Sequence, residues 1–323
     1  MFCPVPLTMK SSTERTSTKN KAVLLFGPTA SGKTALTKTL FSEGAEIINA
    51  DSVQVYRYLD IGSAKPEDEL RDLIPHHLID IRNPWEQYTA GDFVRDAEAA
   101  IEEISSRGKL PVITGGTAYY FRQLAYGPSK APPADPDVRA EVASDIERFG
   151  KDWAYEELER IDSISASRIK RNDIYRISRA IEVYRTSGKP LSSYSVSDTL
   201  RSDIDFVIIG LKRDKKELDE RIELRVSQMF CEGLYDEIKK LMRMGADISW
   251  PGMQGIGYRE FMDARISGEV SIDTIRKDII RSTRQYAKRQ MTFFSSFATC
   301  RFFHPDDIDS IRSYLSFNGI ALG

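Results

Sequence analysis

The chain has 323 residues, which is long for one average domain and suggests about two. Its 46 basic and 48 acidic residues leave a net charge of -2, excluding a wholesale polycation though not local basic faces. Hydrophobic residues make up 41% and charged ones 29%, the balance of a globular protein with a sizeable core. The apolar runs fall far short of the ~20 residues of a bilayer span. Cys3, Cys231 and Cys300 are too scattered for a disulfide framework or a zinc cluster, and His76, His77 and His304 likewise lack ligand spacing. A soluble, reduced, cytoplasmic protein is expected.

Residues 1 to 20 are rich in Ser and Thr, with Glu14 the one acid, and cannot bury a core. They read as a disordered tail. A transit peptide is the alternative, opposed by the few arginines and the lack of an amphipathic period. Order is expected from Lys21. The run Ala22-Val23-Leu24-Leu25-Phe26 ends in glycine and proline, as suits a buried parallel strand. Ile47-Ile48-Asn49-Ala50 and Leu110-Pro111-Val112-Ile113 share its character. Residues 91–107 carry helical periodicity through Phe93, Ala97, Ala100, Ile101 and Ile104. Alternating strands and helices predict an α/β fold, a P-loop NTPase-like parallel sheet flanked by helices. At Gly127 the character changes. Pro128, Pro132, Pro133 and Pro136 crowd a short stretch, and about 60 residues then read as helix. An all-helical insertion is therefore expected over 128–200, between two parts of one catalytic core, 21–127 and 201–323. A strand resumes at Phe206-Val207-Ile208-Ile209, and beyond it 215–244 and 272–297 read as helices.

Gly27-Pro28-Thr29-Ala30-Ser31-Gly32-Lys33-Thr34 fits the phosphate-loop pattern in full, between an expected strand and an expected helix. Its glycines let backbone N–H groups wrap phosphate oxygens, Lys33 adds a point charge, and the Thr34 hydroxyl suits Mg²⁺. This site binds a di- or triphosphate. The Asp that ATPase motors place after an apolar strand is missing, because the strand at Val112-Ile113 runs into Thr114-Gly115-Gly116-Thr117. Asp51 ends the second strand, on the side of an open sheet that faces ligand. It reads equally as a general base or metal support and as a helix-cap or turn residue.

Charge is segregated. Residues 168–185 hold six basic side chains against Asp173 and Glu182, and 276–290 hold six against Asp278. Lys277, Arg281, Arg284 and Lys288 share one helix face. Such stripes are often solvated faces; two of them with little acid to pair them also suit nucleic acid. Arg221 and Arg225, among Glu217, Glu220 and Glu223, read by spacing as an exposed helix with i,i+4 pairs.

Together these segments resemble the tRNA dimethylallyltransferase family, of the bacterial isopentenyl-transferase type. The resemblance runs in family order from about residue 22 to 295. It is carried by the phosphate loop, Asp51-Ser52-Val53-Gln54-Val55-Tyr56-Arg57, Asp60-Ile61-Gly62-Ser63-Ala64-Lys65-Pro66, Pro75-His76-His77-Leu78-Ile79-Asp80 and Gly115-Gly116-Thr117. It continues through Asp135-Pro136-Asp137-Val138-Arg139, 172–179, Gln254-Gly255-Ile256-Gly257-Tyr258-Arg259-Glu260 and 284–290. It implies transfer of a dimethylallyl group from dimethylallyl diphosphate to N6 of the adenosine 3′ of the anticodon, in tRNAs reading codons that start with U, with release of diphosphate. By the same resemblance Asp51 is the general base, and Arg225 helps hold the diphosphate. Ser52, Val53 and Gln54 line the adenosine site. Thr117, Arg139, Tyr175, Arg176, Ile177, Ser178, Arg179, Gln254, Gly255, Ile256, Gly257, Tyr258 and Arg259 touch tRNA. Mg²⁺ is the implied cofactor and a monomer the expected state. Ala118 and Phe293-Phe294 depart from the family pattern, which expects Gly and Trp nearby, and the zinc-finger extension of many eukaryotic relatives is not expected here. A P-loop kinase of a nucleoside or small molecule is the competing enzyme. A nucleotide-gated RNA-binding module is the competing reading outside catalysis.

Overall fold

The structure is a computed structural model that describes residues 19–194, 197–268, 271–297 and 299–321. The tail expected over 1–20 lies almost wholly outside the described residues. In chain order the elements are β1 (Asn20–Phe26), α1 (Lys33–Phe41), β2 (Ala45–Asn49), α2 (Asp68–Leu73), β3 (His76–His77), α3 (Ala90–Ser106), β4 (Leu110–Gly115) and α4 (Ala118–Tyr126). Three helices follow, α5 (Pro136–Ile161), α6 (Ser163–Ala166) and α7 (Ile174–Ser187). Then come β5 (Ile204–Leu211), α8 (Lys215–Cys231), α9 (Leu234–Arg243), α10 (Arg259–Ser267), α11 (Ile272–Phe294), β6 (Arg301–Phe303) and α12 (Ile308–Phe317).

The six strands form one parallel sheet in the order β3-β2-β4-β1-β5-β6. β1 is central, with Val23 opposite Val112 on one side and Val207 on the other. Its continuous apolar run is explained by burial on both faces. Ala22, Leu24 and Phe26 join a core with α3, α4 and α11. Val23 and Leu25 turn to the opposite core, under α1 and α12. At the end of β1, Phe26 stacks on Phe294 with centroids 4.2 Å apart and meets Phe121 edge-on at 5.3 Å. Phe294, one of the departures from the family pattern, therefore ties α11 to the strand that launches the phosphate loop.

The helices between 136 and 187 carry a core of their own, built on Val142, Leu158, Ile177, Ala180 and Ile181. Asp173 caps α7 by accepting from Arg176 N, and Gly188 in the left-handed region ends it. α5 is broken at Gly150. The single helix expected over 215–244 is two, because Gly233 at φ 103° admits a turn that other residues resist. The helix expected to reach 297 stops at Phe294, and the three-residue β6 is too short to leave a periodic signal. Among the described residues no helix is long and apolar enough to cross a membrane.

Candidate active site

The phosphate loop leaves β1 at Gly27 and enters α1 at Lys33. Lys33 folds back over it, its Nζ donating to the carbonyls of Gly27 and Pro28 at 2.9 Å each. Gly32 at φ 103° and Ala30 at φ 62° sit in the left-handed region, a strained conformation for alanine. Ser31 Oγ is buried with no hydrogen-bond partner among the described residues, and Thr34 is exposed at the start of α1. Three side chains from distant elements grip the loop. Arg221 donates from Nε to Ala30 O at 2.9 Å, Arg213 from Nε to Ser31 O at 3.0 Å, and Gln290 accepts from Thr29 N at 3.0 Å.

Next to it, β2 and β4 end in a second turn system. Ala50 N donates to Thr114 O at 2.8 Å, and Thr117 N returns to Ala50 O at 3.0 Å. The glycine pair is demanded here. A β-carbon on Gly115 would lie 2.2 Å from Ala50 O, and one on Gly116 would lie 2.7 Å from Gln290 Nε2. Asp51 Oδ1 accepts from Val53 N at 2.9 Å and Gln54 N at 3.4 Å, so the carboxylate does act as a turn residue. Oδ2 takes no hydrogen bond from the described residues, and so remains available for chemistry. Thr117 Oγ1 accepts from Ser52 N at 2.9 Å and meets Ser52 Oγ at 3.2 Å. Its hydroxyl braces the Asp51 turn. Gln290 Nε2 donates to Gly116 O at 2.6 Å, and Tyr286 OH to the same carbonyl at 3.2 Å. One glutamine thus ties the phosphate loop to the glycine turn.

Both systems open on a cleft of about 1310 Å³, lined also by Arg225, Gln54, Ser63, Ile256 and Arg289. Arg225, read by spacing as exposed, is half-buried there, because Ile222 and Val226 anchor its helix beneath. The acids of α8 pair elsewhere, Glu217 with Arg213 and Glu223 with Arg284. Burial first, then the neighbouring Arg225, holds the Lys33 ammonium down to about 7, with Asp51 opposing. Burial also lowers Arg225, again opposed by Asp51. Two desolvated cations face one carboxylate, and the excess positive charge suits a polyanionic ligand. Tyr286 is pushed up to about 12, by burial and then by Asp51.

The remaining candidates divide. Gln254, Gly255, Ile256, Gly257 and Arg259 line the cleft. Tyr258 does not: it is fully buried, donates to Glu237 at 2.7 Å and accepts from Ser63 N at 3.1 Å. Ile177 is buried in the helical core. Both are corrected as side-chain contacts to RNA, because helical and turn geometry turns them inward within otherwise exposed runs. Tyr175 and Arg176 are exposed, and Ser178 is half-buried. Arg179 and Arg139 both lean on the buried Glu182 at 3.3 Å. The shortage of acid expected along 168–185 is also corrected, since α5 supplies Asp152 to Arg171 and Asp145 to Arg185.

Two further side chains near the candidate site carry no signal in the sequence alone. Glu237 accepts from Asp60 N, Ile61 N and Gly62 N at 2.8–3.1 Å, fixing a wall of the cleft. Tyr119 is 51% exposed at the start of α4, its hydroxyl raised by burial and then by Tyr175, with Arg179, Arg122 and Arg176 opposing. The partners of Glu237, at residues 60–62 and 258, and Tyr175 near Tyr119 lie off the local helix, so spacing carries little signal for either.

A phosphate loop after the central strand of a parallel sheet, with a carboxylate at the end of β2 two strands away, marks a P-loop-type α/β fold built around an anion site. The particular lineage follows from relatives. The chain belongs to the IPP transferase family, whose model matches residues 54–297. It is 42% identical to a tRNA dimethylallyltransferase of Borrelia turicatae, over 90% of this chain and 96% of that protein. It is 40% identical to one of Geobacter sulfurreducens, over 91% and 96%. The crystal structure of a full-length tRNA isopentenylpyrophosphate transferase from Bacillus halodurans aligns with a TM-score of 0.66 and 35% identity, covering 93% of this chain and 97% of that one. A eukaryotic dimethylallyltransferase acting on tRNA aligns with a TM-score of 0.74 and 26% identity, covering 94% and 78%.

Proposed function

We propose that this enzyme transfers a dimethylallyl group from dimethylallyl diphosphate to N6 of the adenosine 3′-adjacent to the anticodon, in tRNAs reading codons that start with U. The observation that carries the reading is the meeting of Lys33, Arg225 and Asp51 in one cleft. The phosphate loop, Lys33 and Arg225 bind the diphosphate and stabilise it as a leaving group. The C1–O bond breaks, the N6–C1 bond forms, and the N6 proton passes to Asp51 Oδ2, which compensates for the weak nucleophilicity of an exocyclic amine. Because an allylic cation is delocalised, departure of diphosphate leads attack. Thr34, exposed at the start of α1, and the unpartnered Ser31 Oγ three residues before it fit a Mg²⁺, which would neutralise charge on the leaving group.

Ser52, Val53 and Gln54 form the adenosine side of the cleft, reached by a base extruded from its loop. The helices over 128–200 act as a tRNA-binding insertion, with Arg139, Tyr175, Arg176, Ser178 and Arg179 toward the backbone and Tyr119 as an added aromatic surface. A single chain supplies every group the reaction needs, which supports a monomer, and tRNA as acceptor supports a cytoplasmic site of action. The kinase reading is not favoured by the relatives.

Radiolabelled dimethylallyl diphosphate, unmodified tRNA and Mg²⁺ test the reading. Label should enter acid-precipitable tRNA and vanish when the adenosine 3′ of the anticodon is replaced. ATP consumption with a small acceptor, without label in tRNA, would overturn it.

A further inference from the structure

Outside the reacting groups, one buried cation has no role in the chemistry yet touches the phosphate loop. Arg213 follows β5, and its side chain is 5% exposed. Its Nε donates to Ser31 O at 3.0 Å, while its Nη atoms meet Glu217 and reach Asp306 at 2.8 Å. His304 Nε2 lies 3.4 Å from Nη1. A β-carbon placed on Gly32 would be 3.4 Å from Arg213 Nη2 and 3.6 Å from Pro305 Cβ, so the guanidinium and the 304–306 turn form one wall behind the loop. Glu217, His304 and Asp306 come together closely enough for a metal site, but the guanidinium already occupies their centre.

The peptide group is planar and trans, so a carbonyl and the following N–H point in opposite directions. Holding Ser31 O outward against Arg213 therefore aims the Gly32 N–H inward, and that N–H has no partner among the described residues. Arg221 acts one peptide earlier on Ala30 O, but the Ser31 N–H it orients closes on Pro28 O at 3.2 Å. Only the Arg213 contact orients an N–H left open to an anion. We propose that Arg213, tethered from behind by Glu217 and by Asp306 after β6, is a positioning residue that presents the Gly32 N–H to the diphosphate. This rests on the diphosphate reading of the loop. It adds that the 304–306 turn, outside the segment the family model matches, governs affinity in the active site.

The test measures inorganic pyrophosphate binding by calorimetry, with melting temperature and the KM for each substrate, in the wild type, Arg213→Lys, Asp306→Asn and the double variant. Arg213→Lys keeps the charge but loses the directed Nε contact. Pyrophosphate should bind about tenfold more weakly, the size of one charge-assisted hydrogen bond, with KM for dimethylallyl diphosphate rising and KM for tRNA unchanged. Asp306→Asn should show a smaller loss, and the double variant should be no weaker than Arg213→Lys. Unchanged pyrophosphate affinity in a folded Arg213→Lys, or losses that simply add in the double variant, would overturn the proposal. If Arg213→Lys does not fold, Asp306→Asn decides alone, and unchanged affinity there overturns it. A wild type that does not bind pyrophosphate sinks the diphosphate reading itself, a distinct result.

Discussion

Asp51 has two jobs on two oxygens, and a pair of substitutions separates them. Oδ1 closes the turn onto Val53 N and Gln54 N, while Oδ2 is the atom assigned to take the proton. Asparagine keeps an acceptor at the Oδ1 position and puts an NH₂ where the base was. Asp51→Asn should therefore keep the turn, its melting changed only by the lost counter-charge to Lys33 and Arg225. Its transfer rate should fall roughly 10²–10⁴-fold, the usual contribution of a positioned base. Asp51→Ala loses the same base and also orphans two N–H groups, one bonded well at 2.9 Å and one weakly at 3.4 Å. That adds about 1–2 kcal/mol of destabilisation, or a melting point lower by about 2–4 °C in a chain of this size. Single-turnover transfer to an anticodon stem-loop, paired with thermal melts, reads both quantities. Near-wild-type transfer by Asp51→Asn refutes the base assignment, and equal melting of the two variants refutes the turn.

The Lys33 ammonium, held near 7 by burial and by Arg225, must be charged when it holds an anion, so pyrophosphate binding should take up protons between pH 7 and 9. Calorimetry in buffers of different ionisation enthalpy would show this uptake, and Lys33→Met should lack it. Glu237→Ala strands three loop N–H groups and the buried Tyr258 hydroxyl; urea unfolding should show a loss of about 3–5 kcal/mol, partly recovered by Glu237→Gln. Gly115→Ala drives a β-carbon into the Ala50 carbonyl and should cost about 3 kcal/mol or more. Gly116→Ala meets side-chain atoms rather than backbone, Gln290 Nε2 at 2.7 Å and Asp51 Oδ2 at 3.7 Å, and should cost less, while slowing transfer.

The parts of the site that proved legible are contiguous. The phosphate loop needs eight consecutive residues between a strand and a helix, and Asp51 needs only the end of an apolar run. Arg225 was legible through family resemblance alone, because its spacing with Glu217 and Glu220 says exposed helix. Only the seating of Ile222 and Val226 turns it into the cleft. Gln290 was invisible by itself, since its partners lie 261 and 174 residues away. Ile177 and Tyr258 failed in the opposite direction: a motif names a run, but the fold buries individual members of it. Pairing along the basic stretch 168–185 was only partly legible, because Arg171 and Arg185 take their acids from α5 while Arg176 and Arg179 use Asp173 and Glu182 nearby.

The central position of β1 also governs how the protein can be made. Its apolar edge, residues 22–26, finds β4 only after about 90 further residues and β5 only after about 180. Until then a nascent chain carries a hydrophobic strand with an open side, the kind of surface that recruits chaperones or aggregates. The phosphate loop leaves the ribosome early, yet its backing wall waits for residues 304–306. On the Arg213 proposal, a nascent chain whose 304–306 turn has not yet closed behind the loop binds an anion more weakly than the folded protein does.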